Sequence, residues 1–188
     1  MARLALLLAG LLVVGSCNSG ADHNDADVAF ATDMISHHAQ AIQMANFTIG
    51  RNVVDPRIAK LAEDIRVAQT REIDTLSDWL RDWDEPVPET GFATGDGHLH
   101  EDSGTVEGEG DLPGMMTEDE MSRLAAAGGE TFGPLWLQRM IEHHEGAVSM
   151  AGEVEQDGEN AAVRELAAEI RTAQGREIED MRSWRDDS

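Results

Sequence analysis

An all-α four-helix bundle, made of two repeated helical hairpins, is the architecture to which three features of the sequence point. Residues 33–45 read DMISHHAQAIQMA, and residues 139–151 repeat the pattern as RMIEHHEGAVSMA. The likeness continues into the segment after each copy, where Leu61, Ile65, Gln69, Glu72, Ile73 and Trp79 recur as Leu166, Ile170, Gln174, Glu177, Ile178 and Trp184. Tyr is absent and Phe is sparse, a composition that argues against a β-sandwich or barrel.

In each copy a Met is followed three and four residues later by a His pair, and a second Met lies six residues beyond it. At about 100° per residue His38, Ala41 and Ala45 fall within roughly 40° of Met34 on a helical wheel, flanked by His37 and Met44 on one side and Ile35 and Ile42 on the other. The positions that keep their character between copies form this arc. The positions that change, Ser36/Glu142, Ala39/Glu145, Gln40/Gly146 and Gln43/Ser149, form the opposite one. The His and Met residues therefore belong to an inward face, and the changed positions are expected outside.

Taken in order, residues 1–17 read as a lipoprotein-type signal peptide. A short positive start precedes an apolar run from Leu4 to Val14, too short to span a bilayer as a helix but suited to secretion. Val14-Gly15-Ser16-Cys17 resembles a lipoprotein cleavage site that leaves Cys17 to be lipidated. The alternative is an ordinary secretory signal and a secreted protein. Residues 18–27 are expected to be a flexible tether. Residues 28–84 form the first hairpin, with helices at about 26–49 and 56–83; Pro56 suits a first helical position. Residues 85–116 read as an acidic, Gly-rich linker without a packed element. Residues 117–188 supply a short helix, announced by the capping-box spacing of Thr117 and Glu120, and then the second hairpin, with helices at about 132–155 and 161–184. Two hairpins that each carry one apolar stripe bury it against each other, so both form one domain.

The formal net charge of −23 excludes nucleic acid as a natural partner, disfavours an anionic membrane surface and favours cations. Contact with the membrane is expected through the lipid anchor only. The single Cys rules out an internal disulfide. An extracytoplasmic site favours Met and His over thiols as ligands, because thiols oxidise there. The oligomeric state is left open by the sequence, homo-oligomers included.

The inward groups define the candidate site: Met34, His37, His38 and Met44 from the first copy, and Met140, His143, His144 and Met150 from the second. Buried polar groups cost about 1–3 kcal/mol each when unpaired, so retaining them calls for a reason. Thioether and imidazole together suit Cu(I) and its mimic Ag(I). Gln69, Glu72, Gln174 and Glu177 are expected to hold the far ring nitrogens and fix their tautomers. Met115 and Met116 are candidate accessory ligands, as are His98 and His100 on the linker. A competing explanation is a buried His/Gln/Glu hydrogen-bond network in a structural or signalling lipoprotein, with Met as filler. A di-metal carboxylate oxidoreductase fits less well, since the His pairs lack the Glu-x-x-His pattern and only two carboxylates point inward. Neither HExxH nor a nucleophile stands in the repeat, so a binding protein is expected rather than an enzyme.

The paired MIxHHxxAxxMA segments, each followed by AxxIRxAQxxEI, resemble the bacterial domain-of-unknown-function 305 (DUF305) family from about Phe30 to Trp184. That resemblance implies a secreted, ferritin-like four-helix bundle. It also implies copper or silver binding, which is associated with some members, and carries over the four Met and four His residues of the two motifs.

Overall fold

The structure, a computed structural model, describes residues 23–51, 55–90 and 112–186. Five α-helices account for most of them: α1 (Asp25–Asn46), α2 (Pro56–Asp82), α3 (Glu118–Ala126), α4 (Phe132–Asp157) and α5 (Ala161–Asp186), with a 3-10 turn at Gly129–Thr131 before α4. No strand occurs among the described residues. The all-helical bundle expected from the repeat is the fold observed.

Local signals set the helix starts. Asn24 caps α1 in a reciprocal box with Asp27, Asp55 caps α2 ahead of Pro56, and Thr117 with Glu120 forms the box that opens α3. Each such cap satisfies backbone N–H groups that the first helical turn leaves without partners. Along α2, Ile58, Leu61, Ala62, Ile65, Ile73, Leu76 and Leu80 are buried at three- and four-residue spacing. They give the helix one apolar side to lay on α1.

The two hairpins are α1–α2 and α4–α5, and α1 meets α4 between them. These central helices run antiparallel. Phe30, Met34 and Ile35 of α1 share one half of the core with Met150, Ala151 and Val154 of α4. Met44 and Ala45 share the other half with Phe132, Trp136, Leu137, Met140 and Ile141. The buried Trp136 indole donates to the Met44 carbonyl at 2.8 Å, pinning this second half.

Three parts of the chain differ from the sequence-based expectation. The first is the supposed tether at 18–27, of which residues 23–27 are fixed. His23 stacks on Trp83 at 4.4 Å between ring centroids, and the Asn24 side chain donates to the Asp157 carbonyl at 2.8 Å. Asp27 is fully buried, and its Oδ2 accepts from the Glu159 and Asn160 N–H groups, each at 3.0 Å. A carboxylate meeting orphan N–H groups at the start of α5 explains why this acid lies inside.

The second is the 85–116 linker, whose described ends are packed. Val87 and Leu112 lie against the core, and Met116 is buried in it. The third follows from the second. Gly146 is buried and Gln40 is half-buried, because residues 112–116 cover part of the face expected to be outward; Ala39 on that face is also buried, in the half of the core that holds Ile73 and Leu76.

Candidate metal centre

His37 and His38 on α1 and His143 and His144 on α4 are all fully buried. The His37 and His143 rings lie 3.8 Å apart between centroids, and those of His143 and His144 lie 6.4 Å apart. His38 Nε2 meets Glu72 Oε2 at 2.6 Å, and His144 Nε2 meets Glu177 Oε2 at 2.8 Å. Each carboxylate comes from the second helix of the same hairpin and is about a fifth exposed. His37 Nε2 meets the Pro113 carbonyl at 3.0 Å.

The remaining ring atoms have no partners. Among the described residues eight buried side-chain nitrogens or oxygens lack a hydrogen bond, and five of them are imidazole nitrogens: Nδ1 of each of the four histidines and Nε2 of His143. Two more are the Oε1 atoms of Gln69 and Gln174. Seven of the eight therefore come from residues singled out by the repeat, a concentration unusual in a core whose polar groups ordinarily find partners.

Burial also sets the charge state. Desolvation, followed by the neighbouring His38, lowers the His37 pKa to about 3, against a smaller opposing effect of the Pro113 carbonyl. His143 is likewise held well below the ordinary imidazole range by desolvation and then by His37, His144 and His38. The His37 backbone favours the charged form of His143 slightly, without reaching hydrogen-bond geometry to either ring nitrogen. Both rings are thus neutral near pH 7, the state in which imidazole donates a lone pair to a metal.

Met34, Met44 and Met140 are fully buried and Met150 is nearly so. Because α1 and α4 are antiparallel, Met34 shares a core half with Met150, and Met44 shares the other with Met140. Along both helices the His pair stands between the two Met positions. The glutamines depart from expectation: Glu72 and Glu177 hold ring nitrogens, whereas Gln69 and Gln174 leave their side-chain oxygens without partners. Met116 is buried on the Met44 side and Met115 is partly exposed. Cys17, His98 and His100 lie outside the described residues.

The sequence reading missed the strap formed by residues 112–116. It lies across the backbone of α4, and a Cβ at Gly146 would fall 1.8 Å from the Pro113 oxygen. Gly114, at φ +79°, lies against the carbonyls of Glu142 and His143. Gln40 grips the strap from α1. Its Oε1 accepts from the Met116 N–H at 2.7 Å, and its Nε2 donates to the Met116 carbonyl at 2.8 Å. The available signal was the unequal pair Gln40/Gly146, a long amide in one copy and no side chain in the other.

No group of three or more His, Cys, Asp or Glu side chains among the described residues is gathered as a ready chelate. What is present is a set of unpartnered imidazole nitrogens, those of His37 and His143 on neutral rings, in an apolar surround that also contains four thioethers. That donor set fits a soft monovalent cation such as Cu(I) or Ag(I) better than Mg²⁺ or Ca²⁺, which favour oxygen ligands.

Residues 27–185 match the family model described as Domain of unknown function (DUF305). Among solved structures, a DUF305 protein from Streptomyces coelicolor described as secreted is 31% identical, with a TM-score of 0.66 over 83% of this chain and 89% of that one. CopM in its Cu(I)-bound form is 28% identical, with a TM-score of 0.66 over 86% of this chain and 96% of its own. Cu(II)-bound and silver-bound forms of CopM match equally well. A DUF305 fragment from Deinococcus radiodurans is 25% identical, with a TM-score of 0.71 over 88% of this chain and 98% of that one. No curated protein matches the chain.

Proposed function

The chain belongs to the DUF305 family, and on that footing we propose that it is an extracytoplasmic copper-binding protein, without enzymatic activity, that takes up Cu(I) for sequestration or hand-over. One observation carries the reading: five imidazole nitrogens without partners in a sealed core between two methionine pairs. Leaving a buried polar atom unpaired costs about 1–3 kcal/mol. A purely structural network would be expected to satisfy these atoms, as Glu72 and Glu177 satisfy the Nε2 atoms of His38 and His144. A bound soft cation would use the lone pairs that folding has left open. The copper- and silver-bound forms of CopM support the choice of metal.

Ligands would be drawn from Met34, His37, His38, Met44, Met140, His143, His144 and Met150, after the rings and thioethers converge. Lipid anchoring through Cys17 remains part of the proposal. A relative described as secreted supports the extracytoplasmic setting, and among the described residues no helix is long and apolar enough to cross a membrane.

The test is thermal melting with and without Cu(I) under reducing conditions, repeated with Ag(I). A ligand that binds only the native state stabilises it by about 2.7 kcal/mol at a hundredfold excess over its Kd. At roughly 2–4 °C per kcal/mol for a domain of this size, the melting temperature should rise by several degrees. The rise should vanish in the double variant His38→Ala, His144→Ala. No rise with either ion would overturn the copper reading and leave the buried network as a structural feature.

A further inference from the structure

The two hairpins repeat each other, but the strap does not. Its hydrogen bonds reach one member of each matched pair: Gln40 and not its counterpart Gly146 grips Met116, and the ring of His37 and not that of its counterpart His143 meets Pro113. The close approach depends on missing side chains. A Cβ at Gly146 would lie 1.8 Å from the Pro113 oxygen and 2.4 Å from its carbon, and one at Gly114 would lie 2.5 Å from the Glu142 carbonyl. Backbone is thereby pressed on backbone, and the Pro113 carbonyl comes within 3.0 Å of His37 Nε2.

A carbonyl oxygen only accepts hydrogen bonds. His37 Nε2 must therefore carry the hydrogen, and in the neutral ring the lone pair sits on Nδ1, which is buried without a partner. The carboxylates of Glu72 and Glu177 likewise accept from Nε2 of His38 and His144, so that in its neutral form each of these rings presents Nδ1. His143 has no acceptor in hydrogen-bond geometry on either nitrogen, the His37 backbone exerting only its weaker pull.

We infer that residues 112–116 form a backbone lock on His37, seated in the notch at Gly146 and held by Gln40, so that three rings of the tetrad offer Nδ1 to an incoming cation and His143 alone keeps the choice of nitrogen. Gln40 and Gly146 are positioning residues in this arrangement, acting through Pro113. The lock stands on the hydrogen-bond geometry; only its meaning for an incoming cation rests on the copper reading.

The experiment is ring-nitrogen NMR of the full chain carrying ¹⁵N-histidine, first metal-free and then with Ag(I), a diamagnetic probe whose nuclear spin couples to a bound nitrogen. In the metal-free protein His37 should show a single Nε2–H tautomer, and His38 and His144 should each carry hydrogen on Nε2. Gly146→Ala should mix the tautomers of His37 and leave His38 and His144 unchanged. Ala in place of Gly favours a helix interior by about 1 kcal/mol, so α4 itself is not weakened. Gln40→Ala, which removes the grip and adds no atom, should give the same selective change and covers the case in which Gly146→Ala fails to fold. With Ag(I), silver coupling should appear on Nδ1 while the Nε2–H signals persist. An Nδ1–H tautomer at His37, or a His37 spectrum unmoved in both variants, would overturn the lock. Silver coupling at Nε2 of the three rings would overturn the donor assignment. Tautomers as described with no ring perturbed by silver would support the lock and defeat the copper reading.

Discussion

The His37 and His143 rings face each other at 3.8 Å, tilted by 37°, although they occupy the same position in the two copies of the repeat. Matched residues in such contact mark the place where the symmetry of the two halves meets itself. Two imidazoles so close in a dry core cannot both carry charge cheaply, and burial holds both neutral.

Stability should therefore fall as the pH drops below the ordinary imidazole range. The His37 pKa is about 3 in the folded protein and about 6.5 in the unfolded chain. Between these values the unfolded chain binds a proton that the native state refuses, so stability rises with pH across the window and is lost as pH falls through it. One such group contributes up to about 1.4 kcal/mol per pH unit. Urea midpoints at pH 7, 6 and 5 should decline, and His37→Gln should flatten the decline by about one proton. Stability that increases on going from pH 7 to 5 would contradict the buried neutral pair.

The methionines separate packing from ligation. Met34 and Met140 are fully buried, and Leu is close to Met in volume, so Met34→Leu with Met140→Leu should cost under about 1.5 kcal/mol per site. Removing two soft sulfurs should weaken Cu(I) and Ag(I) binding at least tenfold, seen by competition titration against a chromogenic Cu(I) chelator. Unchanged affinity would reduce both residues to core filler.

Asp27 offers a test remote from the tetrad. Its Oδ2 accepts from the N–H groups of Asn24, Glu159 and Asn160. Asp27→Ala should destabilise the fold by about 3 kcal/mol, because buried donors lose a charged acceptor. The first turn of α1 should then exchange its amide hydrogens faster than the rest of that helix. An effect below about 0.5 kcal/mol would mean that the contact to the α4–α5 turn is incidental.

The bundle was legible in the sequence because its signals are periodic. Pro56 and the Thr117–Glu120 box stand where α2 and α3 begin, and comparing the copies placed all four histidines inside. The strap was illegible for the opposite reason. Leu112 to Met116 has no period, and its place is dictated by Gly146 and Gln40, residues far away along the chain. Asp27 stood in a polar stretch, and only the fold brings the start of α5 to it. Which Met of one copy neighbours which Met of the other was also illegible, because it depends on the antiparallel course of α1 and α4, which puts Met34 with Met150 and Met44 with Met140 in the same core halves.

The contrast between Gln40 and Gly146 bears on ancestry. Two identical copies of the first hairpin would put a glutamine side chain where the Pro113 carbonyl must rest. Two identical copies of the second would leave the notch but remove the amide that grips Met116. A homodimer of either half could not seat a strap in this way. If the fold arose by duplication of a single hairpin, the fused gene gained what an obligate symmetric dimer lacks: the freedom to specialise one half as a grip and the other as a seat.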